Sequence, residues 1–94
     1  MPAKNTTITI PAAIWTEITD SDVTNITFQV HTEAMRIAAT TGSAPSDLNG
    51  SLLYDASEGE INAALADMFP GATGAVRVFA FSTHREGQIA VSHA

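Results

Sequence analysis

Hydrophobic and polar residues alternate along most of this chain, and the pattern is clean near its start. In TTITI, residues 6–10, Ile8 and Ile10 stand between threonines, so an extended segment would be apolar on one side and polar on the other. Pro11 closes that segment, because it has no N–H to give to a neighbouring strand. Over residues 14–19 the period continues, with Ile14, Thr16 and Ile18 on one face and Trp15, Glu17 and Thr19 on the other. Asp20-Ser21-Asp22 supplies turn chemistry before residues 23–30, where Ile26, Phe28 and Val30 oppose Asn25, Thr27 and Gln29. Residues 35–40 follow a short His31-Thr32-Glu33 connection, present Met35, Ile37 and Ala39 to the core, and read as the hairpin partner of 23–30.

The second half is announced by TGSAPSDLNG, residues 41–50, whose Gly, Pro, Ser, Asp and Asn-Gly make a loop. Residues 52–54 form a short strand, 56–60 a turn, and INAALADMF, residues 61–69, has Ile61, Leu65 and Met68 or Phe69 at helical spacing with good helix-forming alanines. Pro70-Gly71 ends that short helix. In residues 76–81, Val76, Val78 and Ala80 alternate with Arg77, Phe79 and Phe81; apolar groups on both faces predict a central strand, covered on both sides or held at a subunit contact. Residues 83–87 read as a polar hairpin turn, and 88–93 return with Ile89 and Val91 inward. About seven short antiparallel strands with one short helix near 61–69 make an all-β fold, a small β-sandwich or barrel, over a single domain spanning 1–94.

Composition agrees with this. Twelve threonines suit the solvent faces of strands, and charged residues supply 15% of the chain against about 25% in an average domain. A net charge of −6 with no cluster of basic and aromatic residues argues against nucleic acid and anionic membrane as partners. The absence of cysteine excludes disulfides and thiolate metal sites. No secretory leader or membrane-spanning run is visible, so synthesis in the cytoplasm is expected; sequons at Asn5, Asn25 and Asn49 are what a threonine-rich chain produces by chance.

Candidate chemistry is sparse. Asp20, Asp22 and Asn25 could offer oxygen ligands to Ca²⁺, but the EF-hand spacing is missing and a turn accounts for both acids. His31, His84 and His93 lack a spacing that would place two on one face, and read as surface histidines. Ser82, Ser92 and the neighbouring histidines have no nucleophile elbow, and Glu58 and Glu60 flank a turn glycine. No catalytic residue, cofactor or metal site is therefore assigned. Arg36 and Arg77 each interrupt an apolar strand, where a guanidinium requires a partner inside the subunit or across an interface. With Phe79 and Phe81 they form a candidate interface; Trp15, Tyr54 and the 41–50 loop could alternatively offer a sugar-stacking platform if both rings shared one exposed face.

In the order of its features, an ITIPAAIWTEITDSDVTNITFQV opening, RIAATTGSAP and SLLYDASEGE turns and a terminal GAVRVFAFSTHREGQIAVSHA hairpin, the chain resembles the small all-β accessory proteins of tailed-bacteriophage particles, of the capsid-decoration, head-fibre or spike-base type. That resemblance implies a non-enzymatic virion protein that binds the major capsid protein or another virion protein, in several copies set by particle symmetry. The alternative reading is a carbohydrate-binding or host-recognition module.

Overall fold

A computed structural model describes residues 4–93, in which the alternating segments become eight strands and one helical turn. These are β1 (Lys4–Ile10), β2 (Thr16–Glu17), β3 (Asn25–Thr32), β4 (Met35–Thr40), β5 (Leu52–Tyr54), β6 (Gly59–Ala64), α1 (Leu65–Met68), β7 (Arg77–Ser82) and β8 (Gly87–His93). They form two four-stranded antiparallel sheets in the orders β1-β8-β3-β6 and β2-β7-β4-β5. The fold is thus a β-sandwich. Only the β4–β5 connection stays within a sheet; every other step between successive strands crosses to the opposite one, which is the jelly-roll connectivity.

The inner faces meet as the alternation predicts. Ile26, Phe28 and Val30 of β3 and Ile89 and Val91 of β8 face Met35, Ile37 and Ala39 of β4 and Val78 and Ala80 of β7, all of them buried. Each large aliphatic side chain so enclosed contributes roughly 1.5–3 kcal/mol relative to exposure. Phe28 packs edge-on to Tyr54 with ring centroids 5.0 Å apart. β7 is central, between β2 and β4, as its two apolar faces required.

The structure corrects four local expectations. β3 and β4 are not a hairpin: the chain arches between sheets at Glu33, whose φ is +64°, so that Met35 and Ile37 pack across the core from Val30 instead of beside it. The 76–93 segment is likewise no hairpin, since β7 and β8 lie in different sheets. Of residues 61–69 only 65–68 are helical; Gly59–Ala64 pairs with β3, because the neighbouring backbone satisfies these residues while a two-turn helix with no side-chain cap at Ala64 must carry its own nucleation cost. The 14–19 strand is reduced to Thr16–Glu17, and Ile14 is 57% exposed.

Candidate functional site

The outer face of the β2-β7-β4-β5 sheet gathers the residues the sequence singled out. Register places Arg36 between Leu53 on β5 and Phe81 on β7, and Phe81 in turn meets Trp15, with ring centroids 5.2 Å apart. One step along, Ala38 lies beside Phe79 and Phe79 beside Glu17; a further step brings Thr40 to Arg77.

The four interface candidates have different fates. Arg77 is bound within its own chain: Nε donates to Asp22 Oδ1 at 2.8 Å and Nη1 to Glu17 Oε2 at 2.9 Å. The hydrogen bond to Asp22, then that to Glu17, push its pKa above the usual arginine value. Glu17 Oε2 also accepts from Thr19 Oγ1 at 2.8 Å, so one guanidinium ties β7 to β2 and to the turn that follows it. Phe79 is withdrawn from the interface. It is 4% exposed, and nearby Trp15 is tied to the 41–51 connection, its Nε1 donating to the Asp47 carbonyl at 3.1 Å. Phe81 remains half-buried at the surface.

Arg36 stands apart. Its Nε is buried with no hydrogen-bond partner among the described residues, although the residue as a whole is only half-buried. Its register neighbours are apolar, with Leu53 53% exposed; Leu48 and Ile14, which adjoin Asp47 and Trp15 in sequence, are also exposed. A buried donor left without an acceptor costs about 1–3 kcal/mol, and more for a charged group.

Elsewhere the candidates are absorbed by the fold. Asp20 accepts from Lys4 Nζ at 2.7 Å, and this hydrogen bond holds its carboxyl below the usual carboxylate value; Asp22 is engaged by Arg77, so the two acids of the turn serve different cations. Asn25 donates to the Asn62 carbonyl instead of joining them. His93 is 8% exposed, against the expectation of a surface histidine, and its Nε2 accepts the Asp20 N–H at 3.2 Å; His31 and His84 are exposed. Ser82 is buried and its hydroxyl donates to the Arg85 carbonyl, Ser92 is half-buried on the outer face of the other sheet, Glu58 accepts from the Asp55 N–H and Glu60 from the Tyr54 hydroxyl. Tyr54 thus points into the core while Trp15 covers an outer face, and no shared aromatic platform exists for a sugar. Among the described residues, no group of three or more His, Asp or Glu stands close enough to hold a metal ion.

Sequence reasoning did not mark Leu53 or Leu48, since exposure of a single leucine has no local signature. No family model, curated protein or solved structure matches the chain.

Proposed function

We propose that this protein is a non-catalytic structural subunit that docks on a larger protein assembly through the outer face of the β2-β7-β4-β5 sheet. The assembly that fits the resemblance noted above is a tailed-phage particle, with the chain as a decoration, spike-base or fibre-attachment subunit on a capsid or tail protein. The carrying observation is Arg36, a cation whose Nε lacks an acceptor in the midst of Leu53 and Phe81. A partner that lays an apolar surface over these side chains and brings a backbone carbonyl or carboxylate to Arg36 relieves that unmet demand, and arginine with aromatic neighbours is the composition of interface centres. Jelly rolls serve capsids, lectins and enzymes alike, so the reading rests on this face and not on the fold.

The test is to band particles released by the source culture on a density gradient, with the chain supplied as wild type, Arg36→Glu or Arg36→Met. The wild type is expected to follow the particle band in fixed ratio to the major shell protein, and Arg36→Glu to stay in the soluble fractions. Arg36→Met is expected to melt no lower than wild type, since removing an orphan donor together with its charge is near neutral or stabilising. Wild-type chain confined to the soluble fractions, or Arg36→Glu bound as well as wild type, overturns the proposal.

A further inference from the structure

A sandwich of two open sheets has four edges, and natural proteins blunt such edges because unpaired backbone groups recruit other strands. Three of the four are blunted here. β2 is 2 residues long and β5 is 3. β6 is broken by a register shift opposite β3, with Asn62 at φ +48° and Ile61 thrown 88% into solvent. The fourth edge, β1, has none of these devices. Its 7 residues pair with β8 without interruption from Lys4↔His93 to Ile10↔Gly87. KNTTITI contains no proline, glycine or acid, and its single charge, Lys4, is held by Asp20 at 2.7 Å. No backbone group of β1 is bonded to a described residue outside β8.

We propose that the β1 edge is a self-pairing surface, where two copies of the chain join β1 to β1 antiparallel about Thr7 and fuse two four-stranded sheets into one continuous sheet. The sequence is complementary to itself in that register. Centring on Thr7 pairs all of Lys4–Ile10, setting Thr7 against Thr7, Asn5 against Thr9, Thr6 against Ile8 and Lys4 against Ile10. No like charges meet, and threonine pairs and β-branched neighbours are favourable cross-strand combinations. Ile8, on the core-facing side yet only partly buried, gains the cover it lacks at a free edge. A partner strand from another protein would fill the same hydrogen bonds, but self-complementarity about a single residue singles out a second copy. This surface belongs to the other sheet from Arg36, so the inference stands independently of the docking face.

Sedimentation velocity over about 1 μM to 1 mM, the range suited to a small interface, reads the outcome. The wild type is expected to double in mass within that series. Thr7 points outward and is exposed, so Thr7→Lys and Thr7→Asp keep the fold, checked by their melting curves. Each is expected to remain monomeric throughout, and an equimolar mixture of the two to recover the dimer. As a second probe, the double variant Asn5→Lys with Thr9→Asp places opposite charges across the junction twice and is expected to tighten association at least tenfold. A wild type that is monomeric throughout, single variants that dimerise as wild type does, or a mixture that stays monomeric would each overturn the proposal.

Discussion

Tyr54 shows how one side chain is settled by its surroundings. Its ring lies edge-on to Phe28 and its hydroxyl donates to Glu60 Oε2 at 3.0 Å. Burial, and after it the hydrogen bond to the Glu60 carboxylate, push its pKa well above the ordinary tyrosine value. A raised value means that the neutral phenol is favoured by folding: this contribution is complete below about pH 10 and is lost as the pH rises from there through the folded-state value. Stability measured by denaturant titration is expected to fall on the alkaline side from that point, and Tyr54→Phe to flatten the fall. Arg77 and Arg36 make the complementary comparison. Both interrupt apolar strands, and the sequence alone required a partner for each; it could not say that Glu17 and Asp22 would converge on Arg77 while Arg36 Nε met no acceptor among the described residues. Partners separated from Arg77 by more than 50 residues leave no local trace.

At the level of elements, the junction of β3 and β6 is set by a glycine. A Cβ at Gly59 would stand 2.0 Å from the Phe28 carbonyl oxygen and 2.8 Å from Gln29 Cα, both backbone atoms that cannot step aside. Gly59→Ala is therefore expected to cost about 3 kcal/mol or more in urea unfolding, while Gly42→Ala, with nothing within 4 Å, leaves the midpoint near wild type. The same strand explains where sequence reading failed. β1, β3, β7 and β8 were legible because isoleucine, valine and phenylalanine recur at every second position and mark the buried side. In β6 the shift near Ile61 and Asn62 breaks that period, and its alanines favour a helix, so GEINAA carries no strand signature of its own. Alternation also names a strand's inner face without naming its neighbour. That is why β4, with a short connection behind it, looked like the mate of β3 when it belongs to the other sheet. The candidate site was legible in the same measure: Arg36 and Phe81 lie on the outer face with their neighbours Arg77 and Phe79, but alternation alone gave no sign that Phe79 would be buried or that Trp15 would bond to Asp47, 32 residues away.

Across the whole molecule, two surfaces differ in kind. One is a side-chain surface, where Arg36 Nε has no acceptor among the described residues; the other is a row of backbone groups on a strand whose one charge, Lys4, is paired with Asp20. Asp20, Glu17 and Asp22 are engaged by Lys4 and Arg77 beside these surfaces, and the remaining acids give the chain most of a net charge of −6 that keeps copies of it soluble. What joins the two ends of the fold is β8, seated between β1 and β3. A chain ending at residue 86 loses the only described partner of β1 and one side of β3, and is expected to show no cooperative thermal transition by circular dichroism.

The place of β8 has a meaning in time as well. During synthesis β1 emerges about 80 residues ahead of β8, the strand it must bind. At roughly 5–20 residues per second, the first strand waits for some 4–15 s with both of its edges bare. A long neutral run of threonine and isoleucine is poorly suited to waiting, because it pairs readily with any strand that comes within reach. Nascent chains close together on one message can then meet through β1 before either has made the β8 that closes its own sheet.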